Sequence, residues 1–123
     1  MDKLRIEKSI KTPMVEFNSN GELKIEGRSI PENTVEFYTI PLNWLKTFAN
    51  NRPSDINLHI TLDFFNTSSS KLLLDIFKLL EQMQKQRTIV NVYWHYSEDN
   101  ENMQEAGEDY KGILKLPFHL VKS

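Results

Sequence analysis

Apolar and polar residues alternate strictly from Ile56 to Phe64, placing Ile56, Leu58, Ile60, Leu62 and Phe64 on one face of an extended segment. Directly downstream the period changes. Leu72, Leu73, Ile76, Phe77, Leu80 and Met83 recur every three or four residues, while Asp75, Lys78, Glu81, Gln82 and Lys85 fall largely outside that stripe. This is the pattern of an amphipathic helix that packs on a sheet and ends near Gln86. Thr88 to Tyr96 is β-branched and aromatic, a second long strand. A helix joining two strands lets them lie parallel through a right-handed crossover. Upstream, Met14–Phe17 and the run from Glu22 to Gly27 are short strands joined by Asn18-Ser19-Asn20-Gly21, whose Asn-Gly pair suits a hairpin turn. In the second of these, Leu23 and Ile25 oppose Lys24 and Glu26, so one face of the sheet is wet or covered by a partner.

The segment Gly27 to Asn33 breaks the alternation, and Ser29 with Glu32 has the spacing of a capping box, with Pro31 tolerated in the first turn. Phe37, Tyr38, Leu42, Leu45, Phe48 and Ala49 then follow helical spacing, and Pro41 predicts a kink or restart that yields two joined helical pieces. A last strand is expected within Gly112 to Phe118, and residues 1–11 read as a loose arm or a short edge strand. The whole predicts one α/β (α+β) domain over residues 1–123. It has a single mixed sheet of about five strands, an N-terminal β-hairpin followed by β-α-β units, and helices mainly on one face.

Composition narrows the function. A chain of 123 residues, 39% hydrophobic and 26% charged, has material for one core. With a formal charge of −2 and Lys and Arg scattered, there is no basic stripe for a nucleic acid. The absence of cysteine excludes disulfides, thiolate zinc sites and thiol catalysis. Charges throughout Met1 to Lys8 argue against a signal peptide or membrane span, so a cytoplasmic setting is expected.

The candidate chemistry lies at the junction Phe64-Phe65-Asn66-Thr67-Ser68-Ser69-Ser70-Lys71, where strand gives way to helix and four hydroxyls stand in a row. A helix start presents unpaired N–H groups and a positive dipole end, which favour an added phosphate. Capping alone calls for one such residue, and four exceed that need. Parallel strands bring their C-terminal ends to one edge, so this turn meets the acidic segment from Ser97 to Asp109, which carries Glu98, Asp99, Glu101, Glu105, Glu108 and Asp109. Arg28 and Ser29 join that edge if the second strand is also parallel. An enzymatic alternative places Asp63, Glu98, Asp99 and Glu101 around Mg²⁺ beside a nucleophilic hydroxyl, as a phosphotransferase or hydrolase. It lacks an activating base, and its carboxylates fall mostly in a polar loop, so no catalytic residue, cofactor or metal is assigned. His59 and His95, on the strand sides opposite the main apolar set, are conceivable metal ligands on neighbouring strands, with surface or partner-facing histidines the plainer reading.

Three segments carry a resemblance. Gly27-Arg28-Ser29-Ile30-Pro31-Glu32-Asn33, Phe65-Asn66-Thr67-Ser68-Ser69-Ser70-Lys71, and Trp94-His95-Tyr96 running into the segment Met103 to Tyr110 together resemble the SiaC family of bacterial regulatory phosphoproteins. The resemblance spans nearly the whole chain from Thr12 to Phe118. It implies a non-enzymatic switch protein, phosphorylated by a cognate Ser/Thr protein kinase and dephosphorylated by a PP2C-type phosphatase, whose unphosphorylated form binds and activates a diguanylate cyclase. By motif position the phosphorylated threonine corresponds to Thr67, with Ser68, Ser69 and Ser70 as competing acceptors. The expected partner surface comprises Arg28, Ser29, Asn66, Lys71, Glu98, Asp99 and Glu101. The layout is also similar to STAS domains, in which a phosphorylated serine likewise follows a strand and opens a helix.

Overall fold

In the computed structural model, which describes residues 1–123, the chain runs β1 (Leu4–Ile6), β2 (Met14–Phe17), β3 (Glu22–Ser29), α1 (Thr34–Asn50), β4 (Asp55–Phe65), α2 (Thr67–Lys85), β5 (Ile89–Tyr96), α3 (Glu101–Ile113) and β6 (Phe118–Lys122). The six strands lie in the sheet in chain order. β1, β2 and β3 pair antiparallel, and β3 through β6 are parallel. Each parallel step is a crossover through one helix, and every step moves the same way along the sheet. Right-handed crossovers therefore stack all three helices on one face and leave the other open. Burial follows the same division. Leu23, Ile25, Ile56, Leu58, Ile60, Val90, Val92 and Trp94 are buried on the helix side, while Lys24, Asn57, His59, Thr61, Asn91 and Tyr93 stay at least partly accessible.

The hairpin forms as expected. Gly21 sits at φ +93°, and a Cβ there would lie 2.2 Å from the Asp55 carbonyl oxygen, so only glycine serves both the turn and the close approach of β4. The sheet has six strands rather than about five because Leu4–Ile6 forms an antiparallel edge strand on β2. The helix after β3 is one element, not two pieces: Pro41 lies inside α1 with its ring buried in the core, and the flanking turns carry the helix through the missing N–H. Its cap is also displaced from the expected box. Asn33, not Ser29, accepts the Glu36 N–H at 3.0 Å, and Ser29 remains the last residue of β3. The final strand starts at Phe118, later than expected, because α3 runs on through Ile113 and the buried Leu114 and Leu116 anchor the link between them.

The alternation of β4 fails at its last step. Gly27 pairs with Leu62 and Arg28 with Phe64, which leaves Asp63 as the extra residue of a β-bulge. The bulge reverses the parity of the two residues after it. Phe65 turns inward to meet the buried Trp94 edge-on at 6.0 Å, and Phe64 points away from the core, 50% exposed. A strict period-two reading puts Phe64 on the buried face, and the inserted residue is why that fails.

Candidate functional site

β3, β4 and β5 end on one edge, and α2 begins there. Asn66 caps the helix: its Oδ1 accepts the Ser69 N–H at 2.9 Å, and its carbonyl accepts the Ser70 N–H at 3.0 Å. The Asn66 N–H in turn donates to the Ser29 carbonyl at 3.1 Å, which pins the start of α2 to the end of β3.

The serines after Thr67 are each committed elsewhere. Ser69 is fully buried, donates to the Ser29 carbonyl at 3.0 Å and lies 2.8 Å from Ser29 Oγ. Ser29 Oγ also shares a 2.6 Å hydrogen bond with the Tyr38 hydroxyl of α1. Burial pushes the Tyr38 phenol up to about 12, so this enclosed network stays neutral. Ser68 Oγ shares a 2.7 Å bond with Thr34 Oγ1 in the first turn of α1 and donates to Asn66 Oδ1 at 3.1 Å. Ser70 Oγ lies 3.1 Å from the Tyr110 hydroxyl of α3, which donates to the Ser70 carbonyl at 2.8 Å. Thr67 is exposed, and its hydroxyl makes no hydrogen bond to another side chain or to the backbone.

Charged groups lie on the elements that meet at this edge. Lys71, one turn on, is exposed and lies 3.5 Å from Asp75, while Arg28 Nε lies 3.8 Å from the bulged Asp63. The acidic segment is not a loop. Only Glu98 and Asp99 lie in a turn, where the Ser97 hydroxyl donates to Asp99 at 2.6 Å, and Glu101, Glu105, Glu108 and Asp109 are exposed along α3. Asn100 caps α3 by accepting the Met103 N–H at 3.2 Å, and its Nδ2 donates to the Asp63 carbonyl at 3.1 Å. The acidic helix is thus tied to the bulge beside the hydroxyl turn. Asp63, Glu98, Asp99 and Glu101 form no group of three or more that could hold a metal ion, so the carboxylate cluster required by the enzymatic alternative is not assembled.

Arg28, Asn66, Lys71, Glu98, Asp99 and Glu101 therefore lie near one edge with Thr67, at least partly accessible. Ser29 shares the edge but is fully buried, a bond of the interior and not a contact surface. Sequence reasoning missed Thr34, Tyr38, Tyr110 and Asn100. Both tyrosines fall on apolar helix stripes, where a hydroxyl that holds a network cannot be told from one that merely reaches solvent.

The family model described as SiaC family regulatory phosphoprotein matches residues 6–123. A protein of Pseudomonas aeruginosa strain UCBPP-PA14 is 31% identical over 119 residues, covering 96% of this chain and 94% of its own. The crystal structure of apo-SiaC from Pseudomonas aeruginosa superimposes with a TM-score of 0.90 at 30% identity, over 98% of this chain and 99% of that one. In a crystal structure of the diguanylate cyclase SiaD in complex with its activator SiaC, from the same organism, the matched chain superimposes with a TM-score of 0.92 at 30% identity, over 98% and 99% of the two chains. No helix here is long and apolar enough to cross a membrane.

Proposed function

The chain belongs to the SiaC family of regulatory phosphoproteins, and from that membership we propose that it is a non-enzymatic switch whose phosphate acceptor is Thr67. A cognate Ser/Thr protein kinase adds the phosphate, a PP2C-type phosphatase removes it, and the unphosphorylated form binds and activates a diguanylate cyclase in the cytoplasm. One observation carries the assignment of the acceptor. Of four consecutive hydroxyls, three are spent holding α2 to α1, β3 and α3, and only that of Thr67 is exposed and unengaged. A kinase needs a hydroxyl it can reach without dismantling the fold.

The mechanism is electrostatic and local. Phosphorylation adds roughly −1.5 to −2 charges at the helix end. That adds to the negative charge of Asp63, Glu98 and Asp99 on the same edge, and a partner surface matched to a neutral hydroxyl loses both fit and charge complementarity. Phe64, 50% exposed beyond the bulge, and Val35, 65% exposed beside Thr34, give that partner apolar anchors around a polar centre. Calorimetry with the effector cyclase tests the reading. The unmodified protein binds at least tenfold more tightly than the Thr67 phosphoprotein, about 1.4 kcal/mol, and equal affinities defeat the proposal.

A further inference from the structure

The sheet face opposite the helices carries side chains in register. One row runs Glu16, Lys24, His59, Tyr93, His119, and the next Met14, Glu26, Thr61, His95, Val121. The His59, Tyr93 and His119 rings stack at centroid separations of 4.7 and 4.8 Å, within 11° and 20° of parallel. His95 is the diagonal neighbour of His59, 5.2 Å away centroid to centroid. Both rings are half-buried, and His59 Nδ1 and His95 Nε2 aim at one another at 2.9 Å, a ring-to-ring hydrogen bond across the seam of β4 and β5. The contact is therefore a proton site and not a metal site. His119 is differently engaged, its Nε2 2.9 Å from Asn91 Oδ1.

We propose that His59 and His95 form a one-proton unit, an acid-sensitive latch that holds the β4–β5 seam at neutral pH and parts when a second proton arrives. The chemistry of the contact dictates this. In the neutral pair one ring N–H donates to the other ring's lone pair. A first proton from solvent goes to the remote nitrogen of the donor ring, and the contact survives as a charge-assisted hydrogen bond. A second proton has only the accepting lone pair left to occupy. It would set two N–H groups and two cations against each other, so the rings must separate. The groups around the pair leave this logic intact. On β3, Lys24 stands beside His59 and Glu26 lies in the row of His95, one charge of each sign, while Glu22 of the row beyond is held by Asn57 at 2.8 Å. β5 and β6 add Tyr93 and His119, and no helix packs on this face. Burial, and then the charge on His59, hold the His95 imidazole below its ordinary range, against the pull of Glu26. At its outer end His95 lines a recess of about 230 Å³ with Asp63, Ser97 and Asn100. A freed, charged His95 thus finds carboxylates at Glu26 and across the recess at Asp63, whose carbonyl accepts the Asn100 amide at 3.1 Å. Acid acts there on the capped start of α3.

Histidine ring resonances of the ¹⁵N-labelled protein, followed from about pH 8 to about pH 4.5, test the latch independently of phosphorylation. In wild type the His59 and His95 signals move together through a first step, in which the pair gains one proton. They reach full protonation only in a second step at least about one pH unit lower, whereas His119 titrates in a single step. His59→Asn and His95→Gln each put an amide where the contacting nitrogen stood, so a hydrogen-bonding partner stays and one titrating group goes. In either variant the remaining ring titrates in one complete step. Stability reads the same count. The unfolded chain takes a proton on each ring as pH falls through ~6.5, while the folded chain takes only one. Stability is thus complete above that range and lost below it, the folded-to-unfolded ratio of wild type falling about tenfold per pH unit relative to His95→Gln between about pH 6 and pH 5. Independent single-step titration of His59 and His95 in wild type, or identical acid profiles of wild type and His95→Gln, overturns the proposal. The wild-type resonances decide the matter even if a variant fails to fold.

Discussion

Two helices start at the same sheet edge with the same cap and opposite chemistry. Asn66 and Asn100 each accept the N–H three residues on, at 2.9 and 3.2 Å. The first turn of α3 contains Glu101, whose negative charge answers the helix dipole. The first turn of α2 contains no acidic residue, only hydroxyls, three of them locked into neighbouring elements. One positive helix end is therefore neutralised permanently, and the other is left open to an anion that can be added and removed. Within a fold that repeats one supersecondary unit, the helix proposed to carry the phosphate is the one without a resident charge.

The largest effect expected from this contrast is on phosphate transfer. Thr67→Ala abolishes incorporation by the cognate kinase, measured by intact mass, because Ser68, Ser69 and Ser70 are held by Thr34, Ser29 and Tyr110. Normal incorporation in that variant would show that the serines leave their partners freely, and the contrast between free and locked hydroxyls would collapse.

Next in size is the buried network that does the locking. Burial holds the Tyr38 phenol protonated up to about 12, whereas the unfolded chain ionises near ~10. The folded state thus keeps a proton the unfolded state has lost, and stability, complete below pH ~10, falls as pH rises to ~12 by roughly 2–3 kcal/mol. The Tyr110 phenol is also raised by burial and adds to the loss in the same direction. Tyr38→Phe lowers stability at pH 7 by about 1–2 kcal/mol and flattens part of the alkaline decline. Denaturant titrations at pH 7 and pH 11 measure both, and an unchanged alkaline slope would mean that the network opens to water.

The third effect is on encounter. Neutralising Glu98, Asp99 and Glu101 together changes the association rate with kinase or effector and flattens its salt dependence. The melting temperature moves by only a few degrees, because all three are exposed and none forms an ion pair. Stopped-flow at two ionic strengths separates this recognition role from a structural one.

Much of this site was legible because its logic is periodic. The switch from period two at Ile56 to period three and four at Leu72 locates the strand, the helix and the hydroxyl turn between them. The features that escaped were aperiodic or long-range. The bulge at Asp63 inserts a residue that no alternation rule anticipates, and it moves Phe64 from the core to the surface. The acidic stretch read as loop because its charges crowd together, yet Met103, Gly107 and Tyr110 form a buried stripe every three or four residues that seats α3. Gly107 permits this seating, since a Cβ there would lie 2.5 Å from Trp94. The partition of four hydroxyls into three locked and one free depends on Thr34, Tyr38 and Tyr110, brought in from up to 40 residues away.

The smallest expected effect tests the opening contrast most directly. At the first position of α2 a carboxylate meets an uncompensated dipole, so Thr67→Asp stabilises the protein by about 0.3–1 kcal/mol. At the first position of α3 the compensating charge is already present, so Glu101→Gln destabilises by a similar amount. Thr67→Ala removes no hydrogen bond, leaves the Asn66 cap in place and costs less than about 1 kcal/mol. Both charge effects shrink as salt is raised from low to high, since exposed charges at a helix end are screened within about a Debye length. Urea denaturation of the three variants at low and high ionic strength reads them on one scale. If Thr67→Asp is instead destabilising at low salt, then Asp63, Glu98 and Asp99 already set the potential at that helix end. A phosphate there would then act by repulsion alone, without the helix holding it in place.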